Sequence, residues 1–178
     1  MSQSRITDRY AQALFDLAEG ENALYPVYVS FGEINILLKE KQDFKVFIHN
    51  PLLSIGERAS ILKHLFDNKI PKLLFKFLMY LNVKGRLNLL GGIFESLDHL
   101  YLEKNNQIRA NLQTAYDLKD DQKKNIQEAL HHKYHKEVSL DCKVKPELLG
   151  GFRLLSEGTL FDGTIKTQLE QFRQKVST

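Results

Sequence analysis

The sequence predicts a six-helix bundle followed by a small α+β domain with a short sheet, an α plus α+β chain, on three observations. Every periodic segment from Ile6 to about Asn105 has helical spacing. Two segments after Gln107 alternate instead: Ile108, Ala110, Leu112 and Thr114, then Val138, Leu140, Cys142 and Val144, interleaved with mostly polar residues. Glycines then punctuate a hairpin and a closing helix between Gly150 and Val176. A cut near Lys104-Asn105-Asn106 divides the chain into residues 1–105 and 106–178.

In the first part, one helix is expected from a cap at Thr7 or Asp8 to Gly20. A second begins between Glu21 and Tyr25 and runs to about Lys41, with Pro26 tolerable only in its first turn. Asp43 to Ile48 gives a short third, closed by Asn50-Pro51 because a residue before proline avoids helical backbone. Ser54 and Glu57 have the spacing of a capping box, so helix four reads Ile55 to Phe66. Pro71 suits the first turn of helix five, which runs to Lys84 and stops at Gly85. Helix six, Leu87 to about Lys104, carries Leu90, Phe94, Leu97 and Tyr101 on one side.

The second part opens with the strand at Ile108. Acids from Asp117 to Asp121 oppose the positive end of a helix dipole, and Ile126, Ala129, Leu130 and Tyr134 supply that helix's buried face. Lys145-Pro146 stops the next strand, and Gly150-Gly151 lets the backbone turn where a side chain would clash. Phe152 to Phe161 reads as a hairpin about Glu157-Gly158, whose register is the open point, since a one-residue change of turn reverses which side chains face inward. Ile165, Leu169, Phe172 and Val176 form the stripe of the last helix.

Composition argues against several function classes. At 43% hydrophobic and 26% charged, the chain reads as a soluble globular protein. The apolar runs Ile34 to Leu38 and Leu73 to Leu81 are far too short to cross a bilayer, and the opening Met-Ser-Gln-Ser-Arg lacks the features of a secretory signal. The expectation is a protein that stays on the side where it is made, without direct membrane insertion. Cys142, the single cysteine, allows no intrachain disulfide and reads as a buried, small apolar side chain. A net charge of +3 with both signs interspersed offers no strong field for nucleic acid or anionic lipid. His131, His132 and His135 are the best metal candidate, yet neither a nearby cysteine nor a His-Glu-x-x-His glutamate accompanies them, and a solvated helix end is the better reading. Glu147 to Gly151 lacks the Lys-Ser/Thr pair of a P-loop, and no Gly-x-Ser-x-Gly elbow occurs. No catalytic residue, metal or cofactor is expected, and the chain does not read as an enzyme.

What remains is surface shape. On a helical projection Tyr10, Ala11, Ala13, Leu14, Phe15, Leu17 and Ala18 fill an arc of about 200°, roughly double an ordinary stripe. Helix five is apolar nearly all round, with Leu74, Leu78 and Leu81 on one side and a second row of Leu73, Phe77 and Tyr80 flanked by Lys76 and Lys84. Such helices either lie at the centre of a domain or contact something besides their own core.

Three motifs in order, spread over nearly the whole chain, carry a family resemblance. Arg9-Tyr10-Ala11-Gln12-Ala13-Leu14-Phe15-Asp16-Leu17-Ala18 resembles the opening helix of the delta subunit of F-type ATP synthases, whose mitochondrial relative is the oligomycin-sensitivity-conferring protein. Lys84-Gly85-Arg86-Leu87-Asn88-Leu89-Leu90 resembles that family's Gly-Arg-Leu turn between helices five and six. The tail from Leu140 to Val176, including the step Asp162-Gly163-Thr164, resembles its C-terminal signature. Two positions depart from the pattern: Glu157 precedes Gly158 at the hairpin, and Arg153 stands where an apolar residue is common.

The resemblance implies a non-catalytic stator subunit that links the alpha/beta catalytic head to the b-subunit stalk, so that proton-driven rotation is coupled to ATP synthesis. It implies a peripheral location on the cytoplasmic face of a bacterial inner membrane. Residues 1–105 would bind the head through a groove between helices one and five that grips the N-terminal helix of an alpha subunit. By motif position Tyr10, Ala13, Leu14 and Leu17 line one wall; Phe77, Tyr80 and Val83 are a geometrical choice for the other. Ala13 would let the incoming helix approach closely, with Tyr10 and Tyr80 as amphipathic anchors. Residues 106–178 would bind the C-terminal ends of the b subunits. Lys166, Leu169, Phe172 and Arg173 are the candidates there, although Leu169 and Phe172 are equally well explained as core.

Two rival readings make different expectations. An RNA-binding helical factor with an accessory α+β domain, suggested by the basic balance and the Arg9-Tyr10-Ala11 opening, requires an RNA affinity that falls steeply with salt. A metal-dependent enzyme built on the histidines requires stoichiometric zinc.

Overall fold

A computed structural model describes residues 3–156 and 159–176. The chain forms two compact units, Met1–Tyr101 and Leu102–Thr178.

The first unit is helical: α1 (Gln3–Gly20), α2 (Leu24–Glu40), α3 (Gln42–His49), α4 (Ile55–Phe66), α5 (Lys72–Val83), a single 3-10 turn at Leu87–Leu89, and α6 (Leu90–Lys104). The helix expected at Ile55 begins there because both halves of the capping box form. Ser54 Oγ accepts the Glu57 N–H at 3.2 Å, and Glu57 Oε2 accepts the Ser54 N–H at 2.8 Å. The Ser54 N–H and hydroxyl, both donating to Glu57 Oε2, hold the Glu57 carboxyl below its ordinary pKa. Pro26 occupies the first turn of α2, as its missing N–H requires.

Other boundaries differ from expectation. Thr7 is not a cap: α1 starts four residues earlier than Thr7, at Gln3, and Thr7 is buried against α6, where a Cβ on Gly92 would stand 3.0 Å from its Cγ2. Pro71 is the residue before α5, and its carbonyl accepts the Phe75 N–H at 3.0 Å. Helix six is preceded by the 3-10 turn, since the chain must first leave the end of α5.

The bundle core gathers Leu14, Phe31, Ile34, Leu62, Leu74, Leu78, Leu81, Leu90, Ile93 and Leu97, all essentially sealed from solvent. Each such side chain contributes about 1.5–3 kcal/mol by leaving water. Asn82, also buried, donates from Nδ2 to the Ile55 carbonyl at 2.9 Å, tying the end of α5 to the start of α4. Tyr28 stacks on Tyr101 with ring centres 3.8 Å apart and donates its hydroxyl to Asp98 at 2.7 Å, joining α2 to α6.

The second unit contains β1 (Gln107–Thr114), α7 (Asp120–Tyr134), β2 (Glu137–Val144), β3 (Phe152–Ser156), β4 (Thr159–Asp162) and α8 (Ile165–Val176). Its sheet runs β2-β1-β3-β4. The first strand is central: it pairs parallel with β2, Ile108 opposite Val138, and antiparallel with β3, Leu112 opposite Leu154. A parallel pair needs a crossover, which α7 supplies. One face, including Ala110, Leu112 and Leu154, packs on Ile126, Leu130 and Tyr134 of α7.

Two expected core positions in this unit are less enclosed. Ala129 is exposed, because Leu130 and Ile126 already fill the contact with the sheet. Cys142 is only half-buried, being on an edge strand, and partial burial pushes its thiol pKa up. Glu157 and Gly158 lie outside the described residues; the strands flanking them pair Ser156 with Thr159 and Leu154 with Phe161.

The double glycine has a specific reason. Gly151 has a φ of +77°, and a Cβ there would collide with the Gly163 carbonyl; a Cβ on Gly150 would collide with the Ile165 side chain. The start of α8 is thereby brought against the turn before β3, where the Ile165 N–H donates to the Gly150 carbonyl at 3.1 Å.

Candidate partner-binding groove between the first and fifth helices

The apolar flanks of α1 and α5 that the core does not use face each other across an open groove of about 700 Å³. Its lining combines Ile6, Arg9, Tyr10, Ala13, Leu14 and Leu17 of α1 with Leu73, Lys76, Phe77 and Tyr80 of α5 and with Arg86. The spacing explains this on both sides. Ile6, Tyr10, Ala13 and Leu17 fall one turn apart in succession on α1, as Leu73, Phe77 and Tyr80 do on α5. Leu74, Leu78 and Leu81 meanwhile point into the core.

Tyr10 is the hinge between the walls. Its ring lies 6.3 Å from Phe77, edge-on, and 6.3 Å from Tyr80. Phe77 in turn packs on buried Phe31 at 6.3 Å, which anchors the groove to the core. Leu17 is 56% exposed and Tyr80 50%, large apolar surfaces with nothing over them.

Six of the seven residues read from sequence for this site thus line one groove. They do not contribute alike. Leu14 is completely buried and forms the floor as part of the core, so it offers no wall surface. Val83 is exposed but stands outside the lining, because α5 ends there and the chain turns away. Sequence reasoning missed Ile6, Arg9, Leu73, Lys76 and Arg86 as lining residues. Four of them carried a signal: Leu73 and Lys76 belong to the second row of α5, Ile6 precedes Tyr10 by one turn, and Arg9 opens the first motif. Arg86 was legible only as part of a turn.

That turn is a helix C-cap. Gly85 takes a φ of +63°, its N–H donates to the Asn82 carbonyl at 3.0 Å, and the Arg86 N–H reaches back to the Leu81 carbonyl at 2.8 Å. The reversal returns Arg86 over α1, where its Nη1 donates to the Tyr10 hydroxyl at 2.5 Å and its guanidinium carbon lies 5.5 Å from the Tyr10 ring centre.

In the second unit, the described part of the apolar stripe of α8 is uncovered: Ile165, Leu169 at 56% and Phe172 at 66% are all exposed. That excludes the core alternative for Leu169 and Phe172. Lys166 and Arg173 are exposed beside them. The step before α8 is fixed by Asp162, whose Oδ1 accepts the Thr164 N–H at 3.0 Å and hydroxyl at 2.8 Å. With Arg153 donating to Oδ2 as well, these bonds hold the Asp162 carboxyl far below its ordinary pKa.

The histidines lie at the end of α7, where His131 and His132 are exposed in the last turn and His135 is the C-cap. His135 has left α7 with a left-handed φ of 54°, and His131 Nδ1–H donates to the Lys136 carbonyl at 2.8 Å. The His131 imidazole and the His135 backbone are therefore engaged in closing the helix. Among the described residues no helix is long and apolar enough to cross a membrane.

Comparison with known proteins gives a consistent answer. Residues 6–176 match the model of the family described as ATP synthase delta (OSCP) subunit. The chain is 29% identical over 93% of its length to an ATP synthase subunit delta of Clostridium kluyveri, covering 92% of that protein. It is 31% identical to one from Clostridium acetobutylicum, covering 93% of each chain, and 29% identical to one from Fusobacterium nucleatum, covering 98% of this chain and 99% of that one. The fold matches, with a TM-score of 0.78 at 22% identity and 97% coverage of both chains, a chain in the cryo-EM structure of the Toxoplasma gondii mitochondrial ATP synthase hexamer. Helical bundle, central strand and cross-braced tail together belong to one lineage: this chain is a member of the ATP synthase delta (OSCP) subunit family, a non-catalytic stator subunit of the F-type ATP synthase.

Proposed function

We infer that the groove between α1 and α5 receives the N-terminal helix of an alpha subunit, and that residues 106–178 hold the C-terminal ends of the b subunits. Residues 1–105 then attach to the alpha/beta head and the remainder to the stalk, so that rotor torque is converted into conformational change in the head and coupled to ATP synthesis. In a bacterium this places the chain at the cytoplasmic face of the inner membrane, held there by protein partners. The observation that carries the reading is the groove itself: two helices keep apolar rows that their own core does not cover, the chemistry of a helix-in-groove site. An entering helix would bury roughly 1,000–1,500 Å² in total, enough for tight binding when the walls are already formed.

Ala13→Trp tests the head contact. Ala13 is exposed on the groove wall, so an indole there fills the space without disturbing the core. Titration with a peptide of the alpha N-terminal segment is expected to show a more than tenfold loss of affinity with the helical circular dichroism signal unchanged. Undiminished binding removes this groove from the head attachment.

A further inference from the structure

The charged residues that line the groove are all of one sign. Arg9, Lys76 and Arg86 line it, no carboxylate does, and none of the three forms an ion pair among the described residues. Lys84 adds a fourth cation nearby, with Nζ 5.6 Å from the Tyr80 ring centre. The floor is apolar and the rim cationic.

Arg86 is held at both its backbone and its guanidinium. The C-cap at Gly85 fixes its backbone, and Tyr10 fixes its guanidinium through both the hydrogen bond and the ring face. One Nη1–H is used on the Tyr10 oxygen, leaving the rest of the planar fork, and the Tyr10 O–H itself, as donors toward the groove. That donor set matches a carboxylate, which takes two parallel hydrogen bonds from a guanidinium.

We propose that Arg86, supported by Arg9 and Lys76, selects a partner helix whose apolar stripe is flanked by carboxylates, with one Asp or Glu placed to meet the Arg86–Tyr10 pair. The proposal rests on the reading of the groove as a helix site and adds what that reading leaves open, the charge and polar register of the occupant. A helix with basic flanks would bring like charges together on the rim and bind poorly. The chain's own α8 exposes Lys166 and Arg173 beside Leu169 and Phe172, so the same rim disfavours capture of the closing helix of a second copy.

The test uses the full chain and three peptides of the alpha N-terminal segment from the same organism: the natural sequence, one with every Asp and Glu changed to Gln, and one with them changed to Lys. The expected result is about a tenfold loss for the Gln peptide and a larger loss for the Lys peptide, with the natural peptide's affinity falling as salt rises from about 50 to about 500 mM. Arg86→Gln is expected to weaken the natural peptide about three- to tenfold and the Gln peptide hardly at all, whereas Lys39→Gln, which removes the same charge from α2 outside the groove, changes neither. Arg86→Lys should recover only part of the loss, because an ammonium lacks the fork. Equal binding of all three peptides, independent of salt and of Arg86, overturns the charge selection while leaving the groove as a helix site. Absence of binding by every peptide overturns both.

Discussion

Arg153 and Asp162 stand directly opposite each other on β3 and β4, with Nη2 and Nε of the guanidinium 2.8 Å and 3.1 Å from the same carboxylate oxygen. The other oxygen holds the N–H and hydroxyl of Thr164. One carboxylate therefore braces the hairpin and sets the start of α8. Folding lowers its pKa, so its contribution is fully present above about pH 4, the ordinary Asp value, and is lost as pH falls below that toward the folded value. Asp162→Asn is expected to destabilise the second unit by about 1–2 kcal/mol at pH 7. In urea melts followed by circular dichroism, the gap between the variant and the parent should close progressively below pH 4.

Leu14 and Leu17 are one turn apart on α1 but belong to different energetic categories. Leu14→Ala empties a sealed core position and is expected to cost about 2–5 kcal/mol of stability. Leu17→Ala removes exposed surface and should cost less than about 0.5 kcal/mol while weakening capture of the alpha peptide at least tenfold. Paired unfolding and titration measurements on the two variants check the separation.

Gly85 and Gly151 both adopt positive φ, yet only one is hemmed in. A Cβ on Gly85 meets open space, whereas on Gly151 it collides with backbone at Gly163. Gly85→Ala should cost about 1–2 kcal/mol, the conformational strain alone. Gly151→Ala should cost more than that and displace α8, visible as new protease cleavage near Ile165.

Phe172 is a large side chain with two thirds of its surface in water. Phe172→Asp is expected to change stability by less than about 0.5 kcal/mol. A pull-down with a peptide spanning the stalk-tip end of a b chain should lose the interaction; full retention would move the stalk contact away from α8.

Legibility in the sequence followed how local each determinant is. Helix α4 was readable to the residue because its start signal, Ser54 with Glu57, acts within one turn. The start of α1 was not, since Thr7 imitated a cap while serving the core. Strand β1 was evident from alternation, but its parallel pairing with β2 depends on where α7 packs, which no short-range signal encodes. The groove walls were legible as surplus apolar rows. Distinguishing Leu14 from Leu17, or including Arg86, needed the relative rotation of two helices and the path of a turn. Arg153 looked anomalous only until its cross-strand partner was in view.

The central position of β1 also sets the order in which the chain can be completed during synthesis. Residues 107–114 must wait for residues 137–144 on one side and 152–156 on the other before both edges are covered. The bundle's buried cluster draws only on residues between Ala11 and Leu97, all of which leave the ribosome earlier. The groove between α1 and α5 is thus complete while the tail is still an unpaired ribbon, so a helix that fits it has its binding site on the nascent chain before the rear of that chain exists.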